Sequence, residues 1–138
     1  VAVKVIAKSA CTAYQKMMII NEIEIMERMN KSGSNPQVVN MIEKIENSEY
    51  FFIVMDLCTG GELYHRLSKR GQGFPEKKAK IIAKQLVDAT IYMHGQGIMH
   101  RDLKPENVVF TTKDENSTWK RYRRRRLDTF LFFCLFPS

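Results

Sequence analysis

The sequence runs to 138 residues, of which 44% are hydrophobic, enough for one packed domain and too many for a chain disordered throughout. Its net charge of +7 is not spread over a face: Lys120, Arg121 and Arg123–Arg126 against Asp128 give residues 119–138 a net +5 and leave +2 for the rest, which argues against a nucleic-acid-binding domain. Cys11, Cys58 and Cys134 are odd in number, far apart and without a CxxC pair, which argues against a disulfide framework and for a reducing, cytoplasmic setting.

The chain opens on Val1-Ala2-Val3 without an initiator methionine or a leader pattern, so its start reads as a cut edge with no signal peptide. Residues 1–8 alternate and are rich in Val and Ile, predicting a strand. Across residues 16–29, Met18, Ile19, Glu22, Ile23, Met26 and Met29 fall near helical spacing and predict an amphipathic helix. Lys31-Ser32-Gly33-Ser34-Asn35-Pro36 is loop chemistry and ends it. Two apolar runs, 38–45 and 50–57, flank Glu46-Asn47-Ser48-Glu49 and predict an antiparallel hairpin whose second strand is wholly buried over residues 51–55.

Thr59-Gly60-Gly61 marks a change of character. Residues 62–70 predict a short helix, and Pro75 suits the first position of a longer one. Ala79, Ile82, Ala83, Leu86, Ala89 and Met93 mark one face of that helix, and Gly95 and Gly97 stop it. Strands first and helices afterwards predict an α+β fold with a hinge near residues 56–61. His65 and His94 show no metal-ligand spacing and are predicted to lie at the surface.

The most informative segment is His100-Arg101-Asp102-Leu103-Lys104-Pro105-Glu106-Asn107, a full match to H-R-D-L-x-x-x-N. Over residues 1–118 the chain resembles a eukaryotic-type serine/threonine protein kinase domain. It is most similar to the calcium- and calmodulin-dependent group, especially the calcium-dependent protein kinases. Residues 56–63 (Asp-Leu-Cys-Thr-Gly-Gly-Glu-Leu), 99–107 and the triplet Glu115-Asn116-Ser117 carry that closer match.

The resemblance implies a two-lobe kinase-like fold in part: residues 1–57 as a small lobe lacking its first strands, and 58–118 as the hinge and first part of the large lobe. It implies transfer of the γ-phosphoryl of ATP, with Mg2+, to serine or threonine hydroxyls of a protein substrate. Asp102 would accept the hydroxyl proton, Lys104 would offset charge on the phosphoryl group, and Asn107 would hold the metal. Val1-Ala2-Val3-Lys4 resembles V-A-I-K, making Lys4 a phosphate contact, with Glu22 as its partner in preference to Glu24 or Glu27. Met55 would wall off the adenine pocket, the Asp56 carbonyl and Cys58 amide would bond the adenine edge, and Glu62 would reach the ribose. Ala2, Leu63 and Val109 would sandwich the ring, and Met26, Met41 and His100 would stack as a spine. Arg101 before Asp102 marks the subgroup in which an activation loop neutralises that arginine. A calcium-sensing regulatory domain would belong to the full-length parent.

The sequence also departs from the family. The glycine-rich loop would lie upstream of residue 1, and the D-F-G aspartate expected near position 123 is replaced by arginines. Residues 119–138 read as a basic and apolar tail foreign to the kinase, the product of a shifted frame, a retained intron or a mispredicted exon. The other readings of that tail are a nuclear-localisation or nucleic-acid patch, a regulatory helix resembling a calmodulin target, and a membrane anchor. Its apolar part of about ten residues is short of the roughly 20 needed for a membrane span. These departures imply that the chain itself does not catalyse transfer. The rival reading is a pseudokinase-like binding or scaffold fragment, against which stand Lys4, Glu22, Asp102 and Asn107.

Overall fold

The computed structural model describes residues 1–33, 35–71, 73–113 and 133–135. Strands β1 (Ala2–Ala7) and β2 (Met41–Glu46) flank β3 (Tyr50–Met55) in an antiparallel sheet of order β1-β3-β2. These segments are dense in Val, Ile, Phe and Tyr, which pack well on a pleated surface. Ala2 lies opposite Met55 and Lys4 opposite Ile53. The β2–β3 turn is closed by Asn47, whose Oδ1 accepts the amides of Glu49 and Tyr50 at 2.9 and 2.7 Å, a local bond that favours asparagine in turns.

Strand β3 is not wholly buried as the apolar run predicts. Phe51, Ile53 and Met55 are buried, while Phe52 and Val54 are half-buried. The sheet packs into the core by one face only, so side chains of the opposite parity keep contact with water.

Helix α1 (Ala13–Lys31) begins three residues before the predicted start. Thr12 is its cap: its Oγ1 accepts the Gln15 amide at 3.2 Å, and Gln15 Oε1 accepts the Thr12 amide at 2.8 Å. This reciprocal capping box satisfies two orphan donors of the first turn. Ile19, Glu22, Ile23, Met26 and Met29 are buried, at helical spacing.

After the hinge come α2 (Leu63–Arg70) and α3 (Glu76–Gly95), with Pro75 as the residue before α3 and not its first helical position. One core joins α1 and the sheet to Ala89, Met93, Ile98 and Val109. A smaller one gathers Leu63, Ile82, Val108 and Phe110. Tyr92 donates to the carbonyls of Met29 and Gly33 at 3.2 and 2.6 Å, and Arg28 donates to the Gln96 carbonyl at 3.2 Å. These three bonds tie α3 and the residue after it to α1 and the loop that follows it. The buried stripe of α3 is narrower than predicted: Ile82, Ala89 and Met93 are buried, whereas Ala79 and Ala83 are exposed. Neither core includes the first turn of α3, and Ala83 sits beside the stripe.

A 3-10 turn at Pro105–Asn107 leads into β4 (Val108–Phe110), which pairs in parallel with β5 (Phe133–Leu135). Among the described residues no helix is long and apolar enough to cross a membrane.

Candidate functional site

Alternation along β1 puts Lys4 on the same face as buried Ala2 and Ile6, so its stem enters the core side of the sheet. Its Nζ meets both oxygens of Glu22, at 3.0 and 2.9 Å. Glu22 is 3% exposed and Lys4 28%. A buried carboxylate requires such a partner, because an unpaired charge out of water is costly. Glu24 is exposed, and Glu27 lies 3.8 Å from Lys44 on the partly open side of the helix. Helical rotation thus gives Glu22 alone of the three the inward position.

The second cluster is built by the loop after α3. Asn107 is fully buried, and its Nδ2 donates to the Asp102 backbone carbonyl and, at 2.9 Å, to Asp102 Oδ2. The same Oδ2 meets Lys104 Nζ at 2.8 Å. The Asn107 amide donates to the Lys104 carbonyl at 2.8 Å, so the 3-10 turn folds Asn107 back over Asp102. The Lys104 hydrogen bond, with the Asn107 bond and the charges of Lys104 and His100, holds the Asp102 carboxyl below the usual carboxylate value against a smaller desolvation effect. Asp102 is therefore ionised at neutral pH and aimed as an acceptor.

Asn107 Oδ1 is buried with no hydrogen-bond partner among the described residues. An orphaned amide oxygen beside an ionised carboxylate is suited to a hard cation such as Mg2+. It supplies one ligand position. Among the described residues no group of three His, Cys, Asp or Glu side chains could hold a metal, and His65 and His94 are exposed.

On the hinge side, Met55 and Cys58 are buried in the same core as Ala2, Val109, Met26 and Met41, while Leu63 joins the smaller core with Val108 and Phe110. The Asp56 carboxylate accepts the Asn40 backbone amide at 3.2 Å and its side-chain amide at 3.1 Å, fixing the start of the hinge. Glu62 forms a β-bridge with Val109. Hinge and β4 are further joined by Thr59 N to Thr111 O, Gly60 N to Phe110 O, and Phe110 N to Gly61 O, at 3.0, 3.0 and 2.9 Å.

That approach depends on Gly60. A Cβ there would overlap the Phe110 Cβ and the Thr112 carbonyl, with the Phe110 carbonyl at 2.8 Å. The sequence signals it only as one of a glycine pair. Arg66 is a second residue that sequence reading passes over. Its guanidinium sits 3.2 Å from the Phe110 ring centroid and donates to the carbonyls of Gly60 and Thr112 at 3.0 and 3.1 Å. Partners that are backbone carbonyls leave no residue-type signature.

Glu22 and Asp102 line one cleft of about 550 Å³, between α1 and residues 97–102. His100 lines it as well. Glu115-Asn116-Ser117, position 123 and the tail, β5 apart, lie outside the described residues.

Comparison with known proteins is consistent along the chain. The protein kinase domain matches residues 1–120. Calcium/calmodulin-dependent protein kinase type 1 of Macrobrachium nipponense is 38% identical over 117 residues, 85% of this chain and 32% of the relative. CDPK-related kinase 7 of Arabidopsis thaliana is 41% identical over 121 residues, 87% of this chain and 20% of the relative. Calcium-dependent protein kinase 3 of Plasmodium yoelii yoelii is 38% identical over 119 residues, 86% of this chain and 21% of the relative. The chain thus spans between a fifth and a third of the length of these relatives.

Proposed function

The chain belongs to the protein kinase domain family, and from that premise we propose that it is the ATP-facing and catalytic-loop part of a calcium-regulated type of serine/threonine kinase. The single observation that carries this reading is the meeting of Lys104 and Asn107 on one oxygen of Asp102, a residue that lines a cleft together with the Lys4-paired Glu22.

Asp102 would orient the attacking hydroxyl and take its proton, a role served by an ionised carboxylate of low basicity when positioning dominates. Lys104, now on Asp102, is long enough to serve the phosphoryl oxygens as charge develops there. Lys4, held extended by Glu22, would bind the α- and β-phosphates. Met55, the backbone of Asp56 and Cys58, Glu62, Ala2, Leu63 and Val109 would form the adenosine side. Magnesium, when bound, neutralises phosphate charge; Asn107 would hold it through the orphaned Oδ1. In the parent, the nucleotide would be ATP and the acceptor a serine or threonine of a protein, with a calcium sensor attached as the names of the relatives suggest.

For the chain as written we propose that transfer does not occur. No D-F-G follows Asn107, and position 123, where its carboxylate is expected, is an arginine in a run of four. Arginines repel a divalent cation, and Asn107 alone cannot replace the missing charge. The test is a radiolabelled-ATP assay on the purified chain with Asp102→Asn as the blank. The expected result is incorporation equal to the blank; incorporation clearly above it would overturn this part of the reading.

A further inference from the structure

Alternation along β4 divides its three residues between the two cores. Val108 and Phe110 belong to the smaller one with Leu63 and Ile82, while Val109 belongs to the larger one, which holds Ala2 and Met55. Val109 is the residue assigned to the adenosine side. Whatever supports β4 from the face of Phe110 therefore sets where Val109 stands.

Arg66, half-buried and one turn into α2, gives that support. Its guanidinium lies 3.2 Å from the centroid of the fully buried Phe110 ring. Nε and Nη2 donate to the Gly60 carbonyl at 3.3 and 3.0 Å. Nη2 also donates to the carbonyls of Thr112 and Lys113, at 3.1 and 3.5 Å. One planar group thus spans the hinge on one side and the residues that follow β4 on the other. The Gly60 amide itself donates to the Phe110 carbonyl at 3.0 Å. Both peptide groups of Gly60 are therefore tied to this end of β4, one directly and one through Arg66. A guanidinium can do this because it is flat enough to stack on a ring and carries donors along its edge. An ammonium is a compact point donor without that fork.

We propose that Arg66 is a positioning residue for the adenosine side of the site: by clamping the Gly60 carbonyl to the end of β4 and bracing Phe110, it fixes the spacing between the hinge and Val109 on which adenine binding depends. The proposal rests on the reading of the hinge and Val109 as that adenosine side. It assigns Arg66 no contact with nucleotide.

The experiment uses the isotopically labelled full chain and follows backbone amides by nuclear magnetic resonance while ADP or adenosine is added without metal. The variants are Arg66→Met, which keeps an apolar stem for Phe110, and Arg66→Lys, which keeps the charge without the planar fork. Both are expected to bind ADP and adenosine about tenfold more weakly than the parent chain, the equivalent of one charge-assisted hydrogen bond. The ratio of ADP to adenosine affinity is expected to stay within about twofold of the parent's, because the phosphates are assigned to Lys4 and not to Arg66. Without nucleotide, exchange of the Gly60 amide is expected to rise roughly tenfold in both variants, while the paired amides of β1 and β3 keep their protection.

Unchanged adenosine affinity in either variant would overturn the proposal and leave the nucleotide reading standing. Loss of protection that spreads to β1 and β3 would overturn it too, since Arg66 would then be a general structural support. A parent chain that binds neither ligand would instead overturn the adenosine reading, and this proposal with it.

Discussion

The two ion pairs of the site make different demands. Glu22 is almost wholly buried and Lys4 partly so, so removing one partner is not equivalent to removing the other. Lys4→Met strands a buried carboxylate and is expected to cost about 3 kcal/mol. Glu22→Gln removes the charge and leaves Lys4 reachable by water, so its cost is expected to be the smaller. Urea unfolding of both variants checks the order. Asp102 is different, being half open to solvent. Its carboxyl sits below its ordinary 3.8 because the Lys104 bond, and then the Asn107 bond, favour the charged form. A depressed value contributes stability that is fully present above 3.8 and lost as pH falls through the folded value. Carbon-detected titration of Asp102 is expected to give a midpoint below 3.8, moved upward in Lys104→Met. Asp102, Lys104 and Asn107 were legible in sequence because they lie within six residues and one turn assembles them. Lys4 and Glu22 needed strand parity and helical period together. Arg66 was not legible, since its ring partner Phe110 and its acceptor at Thr112 lie more than forty residues away and its nearer acceptor, at Gly60, is a backbone carbonyl.

Among the elements, α1 and the hinge carry the sharpest consequences. Thr12→Ala removes half of the capping box and is expected to destabilise by about 1 kcal/mol, read as a lower thermal midpoint. The box was visible as Thr12-x-x-Gln15, but apolar periodicity becomes regular only from Met18, and a reading led by periodicity starts late. Gly60→Ala has no such mild outcome. Its φ is not in the left-handed region, so the effect is steric: the new methyl meets the β4 backbone. Separation of the hinge from β4 should break the Glu62–Val109 bridge, and loss of a cooperative unfolding transition is the expected observation. Alternation predicted β1, and two apolar runs about a polar turn predicted the hairpin, yet neither gave the half-burial of Phe52 and Val54. An all-apolar run does not say how many faces of its sheet are covered.

At the scale of the molecule, the exposed apolar side chains matter. Val87 and Ile91 are 55% and 65% exposed and one turn apart on α3, and Val3 and Val5 are exposed on β1, one of the two edge strands of the three-stranded sheet. Patches of this kind promote self-association. The chain is expected to aggregate on concentration, and Val87→Lys with Ile91→Lys to reduce light scattering without changing helix content. The family and its α+β arrangement could be read from the catalytic-loop octet and the order of strands and helices. Burial along α3 could not, because it depends on which cores the helix reaches.

The central claim is that residues 1–113 hold a working half of a phosphoryl-transfer site. It is tested most directly by a chimera in which residues 1–120 replace the matching stretch of the Arabidopsis thaliana CDPK-related kinase 7, which then supplies the remaining four-fifths of its own length. The chimera is predicted to phosphorylate a serine peptide with ATP and magnesium and to lose at least a hundredfold, the order expected for a catalytic base, on Asp102→Asn. A folded chimera that binds ATP yet shows the same rate with and without the Asp102 carboxylate would contradict the account.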